Sequence, residues 1–142
     1  MKKRALTLIG VLSLLLAAGS AFAQISGPSI RANIPFKFVV NRQALPPGQY
    51  TISRLGNGDA VLVIRGDENK EVMISTSNRM ESHKPADKTK LVFRSYGSDR
   101  YFLSQVWVEG SDTGRQLPKS AHENEVAMDF NSTDVTVVDS LR

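Results

Sequence analysis

Apolar and polar side chains alternate along much of the chain, and this alternation predicts β-strands. Over residues 32–40 one face is apolar, with Ala32, Ile34, Phe36, Phe38 and Val40. A period of two with aromatic and β-branched residues is typical of a half-buried strand. Pro35 falls on the opposite, polar face and cannot donate a ladder hydrogen bond, so its position favours an edge strand or a bulge.

Turn signals divide the following pattern into further predicted strands, which cover residues 50–55, 60–65, 71–76, 90–96 and 100–108. The strongest hairpin signal is Asn57-Gly58. The run that follows it is apolar on both faces, which is expected of a central strand. The polar stretch 77–89 is long for a connection, so we expect either a functional loop or a partly ordered excursion.

The only strong helix signal lies near the C-terminus. Ser120 and Glu123 have the S-x-x-E spacing of a capping box, in which each side chain satisfies the backbone N–H of the other residue. The pattern predicts a helix over Ala121–Met128, which is too short to be stable unless it docks on the domain. The tail, Asn131–Arg142, either adds a last strand or remains loose.

About six or seven short strands separated by turns indicate a mainly β fold, either a small antiparallel sandwich or an open barrel, with one short C-terminal helix. No helical segment separates consecutive strands, so an α/β fold is not expected. The predicted organisation is a signal peptide over 1–23, a flexible leader over 24–31, a single β-rich domain over 32–128 and a C-terminal tail over 129–142.

The first residues have the three parts of a secretory signal. Lys2, Lys3 and Arg4 form a positive end, an apolar run follows over 5–18, and Ala21-Phe22-Ala23 places small residues before a cut between Ala23 and Gln24. The run is shorter than the roughly 18 apolar residues that a spanning helix needs. We therefore expect an exported protein, periplasmic or secreted after cleavage, with no transmembrane segment in the mature chain.

Removal of the signal peptide lowers the net charge of the part of the chain that carries the function. The 18 basic residues of the chain fall to 15 when the three of the signal are removed, against 14 acidic residues. A nearly neutral mature chain argues against a nucleic-acid partner, which needs a real excess of positive charge. The chain has no cysteine, which excludes disulfides, thiol nucleophiles and thiolate metal sites.

Several short segments give the chain a resemblance to other proteins. Ile34-Pro35-Phe36-Lys37-Phe38 is followed by Leu45-Pro46-Pro47-Gly48-Gln49-Tyr50, and Leu117-Pro118-Lys119-Ser120 comes near the end. With these segments the chain resembles a group of uncharacterised secreted bacterial β-rich proteins over 31–128. The resemblance implies a signal peptide, one β-rich domain and a short helix near the end. It implies no activity and no site residues.

The sequence shows no recognisable arrangement of catalytic residues. His83 and His122 are the only histidines and form no H-x-x-x-H pair, so no metal site is predicted. No G-x-S-x-G elbow exposes a serine. The aspartates that lie in predicted turns suit the bends themselves; they are Asp59, Asp67, Asp99 and Asp112. We expect no enzyme activity and no cofactor.

The best candidate for a partner contact is the polar loop. Its positive side chains are Arg79, His83, Lys84, Lys88 and Lys90. Such a surface favours an acidic partner or an anionic component of the envelope, and the alternative is a solvated connection.

The leading hypothesis is therefore a non-enzymatic envelope or secreted module that binds a partner through loops or an exposed strand edge. One alternative is a small-ligand carrier with an aromatic-lined interior, although the same aromatics also suit a plain core; they are Phe36, Phe38, Phe93, Tyr101 and Trp107. Another is a hydrolase with a dispersed site, in which a carboxylate or one of the serines lies within hydrogen-bond reach of His83 or His122; the candidate serines are Ser75, Ser95, Ser104 and Ser132.

Overall fold

The computed structural model describes residues 25–58 and 60–138. The predicted signal peptide with its cut between Ala23 and Gln24, the turn residue Asp59 and the last residues, 139–142, lie outside the described residues. The described elements, in chain order, are β1 (Ile25–Ile34), β2 (Phe38–Val40), β3 (Gln43–Leu45), β4 (Gly48–Leu55), β5 (Val61–Gly66), β6 (Val72–Thr76), β7 (Asn78–Glu81), β8 (Lys90–Tyr96), β9 (Arg100–Trp107), β10 (Thr113–Gln116), α1 (Ala121–Asp129) and β11 (Ser132–Val138).

The strands form two sheets that pack face to face. The first sheet has the order β1-β4-β5-β6, and the second has the order β11-β8-β9-β10-β7. The β2–β3 hairpin joins the second sheet beside the beginning of β9, where β2 runs parallel to β9; the other strand pairs are antiparallel. The prediction of a mainly β fold with one C-terminal helix is confirmed, and the architecture is the sandwich.

The core lies between the two sheets. Ala32, Ile34, Phe38 and Val40 are almost completely buried there, as the alternation over 32–40 predicts. The chain nevertheless forms two strands rather than one over this segment. β1 ends at Ile34 in the first sheet, β2 begins at Phe38 in the second, and the chain crosses between the sheets at 35–37. Pro35 cannot donate a ladder hydrogen bond, so it suits the crossing point.

β5 is an interior strand, as its apolar run predicts. It lies between β4 and β6, its Leu62 and Ile64 side chains belong to the core, and Val63 is also buried although it does not belong to that core cluster. The Asn57-Gly58 hairpin signal is likewise confirmed, because β4 and β5 pair antiparallel around it.

Strands also form where the sequence predicts none. β1 begins at Ile25, within the segment 24–31 that is predicted to be a flexible leader, and it pairs with β4 through a bulge between Ser26 and Ile30. β7 lies within the predicted loop 77–89 and pairs with β10, which had no strand pattern either. Of the two possibilities for the tail, β11 is the strand, and it pairs with β8 along its whole length. Pairing with a partner distant in sequence stabilises all of these segments, and a local pattern does not show such pairing.

Helix α1 begins as predicted, but its capping box is only half used. The Ser120 hydroxyl accepts a hydrogen bond from the Glu123 backbone N–H at 3.1 Å. The Glu123 carboxylate, however, accepts hydrogen bonds from Arg94 Nε at 2.5 Å and Nη2 at 3.0 Å, and from the Tyr96 hydroxyl at 3.0 Å. The side chain that a capping box would turn back to the backbone is therefore used to dock the helix on β8.

The Arg94–Glu123 pair is the main polar contact between helix and sheet. Only 8% of Arg94 and 2% of Glu123 is exposed, and Arg94 Nη1 also donates to Ser104 Oγ at 2.6 Å. Burial acts to lower the pKa of Arg94, but the paired carboxylate outweighs it, so the pKa is raised and the charge is secure. Tyr96, whose hydroxyl donates to Glu123, also belongs to a small apolar cluster with Phe102 and Val126. No helix in the described part of the chain is long and apolar enough to cross a membrane.

We expect Glu123→Ala to lower the free energy of unfolding by about 3 kcal/mol or more, because Arg94 would remain buried without its counter-charge. Urea denaturation measures this value. Glu125→Ala is the matched control, since Glu125 lies exposed on the same helix and its loss should change stability by about 0.5 kcal/mol at most. Equal stability of the two variants would contradict the docking role of the pair.

Stability should also fall at alkaline pH. Burial and then the hydrogen bond to Glu123 raise the pKa of Tyr96, and burial raises the pKa of Tyr50 against the opposing hydrogen bond from Asn69. Both phenols therefore stabilise the fold below their unfolded pKa of about 10 and lose that contribution as the pH rises through the folded pKa. We expect Tyr96→Phe and Tyr50→Phe each to flatten the decline in unfolding free energy above about pH 10. An unchanged slope in the double variant, measured by denaturation across that range, would contradict this.

Candidate functional site

A cleft of about 350 Å³ opens between the two sheets at one end of the core. Aliphatic side chains from both sheets form its floor, namely Ile30, Ile52, Leu62, Val106 and Val108. Polar side chains complete its lining, namely Ser53, Arg54, Arg79, Ser111, Thr113 and Arg115. We call this site the arginine cleft. Its volume lies within the range of about 300–1,000 Å³ that is usual for small-molecule sites.

Three different strands supply the arginines of the cleft. Arg54 lies two residues after Ile52 in β4, so the period of two keeps it in phase with the buried side chains of that strand. Arg79 lies in β7 and Arg115 in β10. The strand register places Arg115 directly opposite Arg79. Like charges directly opposite each other destabilise a sheet, so this pair is a local cost that the fold tolerates.

Hydrogen bonds hold the guanidinium groups of Arg115 and Arg79 in place. Arg115 donates from Nε to Ser77 Oγ at 3.0 Å and from Nη2 to the Ser77 carbonyl at 2.7 Å. Of the five N–H donors of a guanidinium group, these two bonds leave three on Arg115 for other partners. Arg79 donates from Nη2 to Thr113 Oγ1 at 3.3 Å, and its Nε lies 3.5 Å from Glu81 Oε1. That ion pair is well exposed to water and therefore weak.

Arg54 is placed by the bulge of β1. The guanidinium lies against Gly27, where a Cβ atom would come within 3.2 Å of Arg54 Nη2. Gly27 also has a φ of +99°, which favours glycine. Glycine at this position therefore serves both the bulge and the space that Arg54 occupies.

The chemistry of the lining suits the binding of an anion. The residues that line the cleft in the described part of the chain include no histidine and no carboxylate. Two of its hydroxyls form local hydrogen bonds: Ser111 Oγ donates to the Thr113 carbonyl, and Thr113 Oγ1 donates to Asp112 Oδ1. Guanidinium groups are well suited to oxyanions, because their fork of donors matches a carboxylate or a phosphate.

The predicted positive loop does not form a single surface. Arg79 lies in β7 and lines the arginine cleft, whereas Lys84 and Lys90 line a separate pocket of about 190 Å³ beside Trp107. His83 and Lys88 are exposed. The loop itself is tied down by backbone hydrogen bonds between Ser82 and Asp112, Ala86 and Ser111, and Gly110 and Ala86. It is therefore held against the β9–β10 connection.

The aromatic side chains expected to line a ligand space pack against one another instead. Phe93 makes edge-to-face contacts with Phe36 and Phe38, and Phe36 stacks on Tyr101 with 3.9 Å between ring centroids. Trp107 lies apart, against Gly114, and its Nε1 donates to Gln105 Oε1. These rings act as core, and the arginine cleft, whose floor is aliphatic, lies elsewhere.

The candidate catalytic side chains have structural surroundings. His122 is exposed on α1 with its ring near Phe102, while its neighbour Glu123 is turned inward to Arg94. Ser75 Oγ donates to Asn41 Oδ1, and Ser104 accepts from Arg94. Ser95 is buried within β8 and Ser132 lies exposed in β11. Over 25–58 and 60–138, no group of three histidine or acidic side chains is placed to hold a metal ion.

The exposed strand edge that the sequence suggests is partly covered. At the β6 edge of the first sheet, the Ile74 carbonyl accepts a hydrogen bond from Asn41 Nδ2 in the β2–β3 turn. Asn41 adopts a φ of 58°, which asparagine tolerates in turns. The side chains of Val72 and Ile74 remain exposed on this strand.

Comparison of the chain with family models, with curated proteins and with solved structures finds no match. The resemblance to secreted bacterial β-rich proteins thus remains a prediction, and the geometry of the cleft is the basis for a functional proposal.

We expect Arg79→Gln to relieve the repulsion from Arg115. At low ionic strength the variant should be as stable as the parent or more stable, by about 0.2–1 kcal/mol, and its stability should depend less on added salt. Urea denaturation at low and high sodium chloride measures both effects. Arg31→Gln is the control, because Arg31 is exposed on β1 and does not line the cleft. If Arg79→Gln proves clearly less stable than the control, the pair is not repulsive.

Proposed function

We propose that the protein is a non-enzymatic, exported binding module that holds a small anionic ligand in the arginine cleft. The observation that supports this most directly is the meeting of three arginines from separate strands over one aliphatic floor, with Arg79 and Arg115 in direct register. The rest of the mature chain is nearly neutral, so this concentration of positive charge is local.

An oxyanion would remove the cost of that arrangement. Between Arg79 and Arg115 it would neutralise two like charges that face each other across a strand pair. The donors that Ser77 leaves free on Arg115 could form charge-assisted hydrogen bonds with it. A binding role also explains why the lining offers donors and no general base.

Export is supported by the N-terminal sequence. The positive end, apolar run and small-residue exit have the order of a cleavable signal, and the cysteine-free domain has a core large enough to fold without disulfides. The module would then act in the periplasm or outside the cell.

The loop gives a second candidate contact, for an acidic partner. Lys84 and Lys90 surround the same small pocket as Trp107, with Asp87 beside them. Positive charge next to an aromatic side chain can bind a carboxylate-bearing partner through charge and apolar contact together. Substitution of Lys84, Lys88 and Lys90 by Glu, followed by cell fractionation, tests this contact. Unchanged association with the envelope would exclude it.

Anion binding in the cleft can be tested by NMR of the arginine side chains. We expect titration with inorganic phosphate and with acetate to shift the Nε–Hε signals of Arg54, Arg79 and Arg115. Arg31 and Arg65, which are exposed and line no part of the cleft, should not respond. Arg79→Gln should weaken the binding about tenfold or more, the usual effect of losing a charge-assisted hydrogen bond.

The matched control for this variant is Arg65→Gln, which should bind both anions as the parent does. The proposal would be overturned if neither anion shifts the cleft signals, or if Arg79→Gln and Arg65→Gln bind equally well.

A further inference from the structure

The polar and apolar parts of the arginine cleft are separated. The aliphatic side chains Ile52, Leu62 and Val106 are almost completely buried, whereas the Arg79 side chain is 60% exposed. The charged donors therefore lie nearer to solvent, and the aliphatic floor lies deeper between the sheets. A ligand that satisfies both parts must have a charged end and an apolar end.

An inorganic anion, which has no apolar part, would contact only the charged rim of the cleft. It could accept hydrogen bonds at the rim, but it would leave to water the apolar part of the cleft, where Val108 is the least buried of the aliphatic lining residues. Removing apolar surface from water is favourable, and each buried methylene strengthens binding about fourfold. The site thus offers a gain in affinity that only a ligand with an apolar arm can realise.

The size of the cleft limits that arm. A water molecule occupies about 30 Å³ in the liquid, so a volume of about 350 Å³ holds about a dozen groups of that size. A headgroup and a single chain of about eight to ten carbons match this space. A two-chain lipid is much larger than the cleft.

We infer that the ligand is an amphipathic anion with one apolar arm, of the class of medium-chain acyl carboxylates or alkyl phosphates. Its headgroup binds Arg79 and Arg115, and its arm lies between the sheets against Ile52, Leu62 and Val106. This inference rests on the proposed function, because it specifies the ligand of the same cleft.

The test is a calorimetric titration of the purified protein with a series of single-chain ligands. The carboxylates are acetate, hexanoate, octanoate, decanoate and dodecanoate; octyl phosphate and octyltrimethylammonium complete the set. We expect affinity to rise about fourfold per methylene as far as octanoate or decanoate and then to level off. Octyl phosphate should also bind, and its affinity relative to octanoate shows which headgroup the site prefers. The cation should not bind.

Two variants separate the head from the arm. Arg79→Gln should weaken the binding of every anion in the series by a similar factor. Val108→Phe fills part of the floor without changing an arginine, so it should remove most of the gain from chain length while acetate still shifts the Arg79 signal. Nuclear Overhauser contacts between the octanoate methyl group and the methyl groups of Val106 or Ile52 in the parent protein place the arm directly, whether or not Val108→Phe folds.

The experiment distinguishes failure of the inferred ligand class from failure of the proposed function. If phosphate and acetate shift the arginine signals but octanoate binds no more tightly than acetate, the proposed function stands and the amphipathic ligand is excluded. If no anion shifts those signals, both fall. If Arg79→Gln binds every anion of the series as tightly as the parent does while affinity still rises with chain length, the binding is non-specific and the inference is overturned.

Discussion

The strands that build the sandwich core must each turn one face toward it, and this constraint places most of the side chains that form the cleft. Phe38, Tyr50 and Phe93 fill the middle of the space between the sheets, with edge-to-face contacts among their rings. Because the period of a strand is two, a residue in phase with these buried positions is held on the inner face whatever its polarity. At the end of the core the in-phase positions become arginine: Arg54 follows Ile52, and Arg115 lies opposite Arg79.

The arginine that docks the helix and the arginines of the cleft differ in what neutralises them. Arg94 donates to both carboxylate oxygens of Glu123 and to the hydroxyl of Ser104. This arrangement serves stability, because the buried positive charge has its counter-charge within the fold. In the cleft, by contrast, Arg79 and Arg115 face each other, and the nearby acid, Glu81, pairs weakly with Arg79 in solvent. The fold does not remove this repulsion, and a local destabilisation that persists at a cleft is typical of a functional site.

The parts of the fold that local pattern predicts well are those whose alternation is strong. β8 has the predicted bounds, while β4, β9 and α1 differ by a residue or two at their ends. The missed strands are polar, and their stability comes from pairing across long separations: β7 and β10 pair with each other although the loop and all of β8 and β9 lie between them. Glu123 shows a related limit, because its capping-box spacing is real but Arg94, distant in sequence, attracts the carboxylate.

The three arginines of the cleft differ in how far the sequence predicts them. The sequence identifies Arg79 as a positive contact residue, but as part of a solvent-facing loop. Arg54 could have been found from its phase with Tyr50 and Ile52, which marks an inward arginine in a strand that is otherwise clear. Arg115 could not, because its meaning depends on the register with Arg79, and no local signal fixes that register.

Different residues of the sandwich supply its stability and its charged site, and this separation allows such a site to exist. The aromatic side chains of the core and the residues that dock the helix include no member of the short β7–β10 ribbon. The ribbon can therefore hold two arginines in opposition at a cost of about 1 kcal/mol or less, a small part of the stability of a domain. For stability alone, an uncharged side chain of similar length, such as glutamine, would be the better residue at position 79. An arginine at this position is reasonable if its charge binds a ligand, and the geometry favours an anionic headgroup between Arg79 and Arg115.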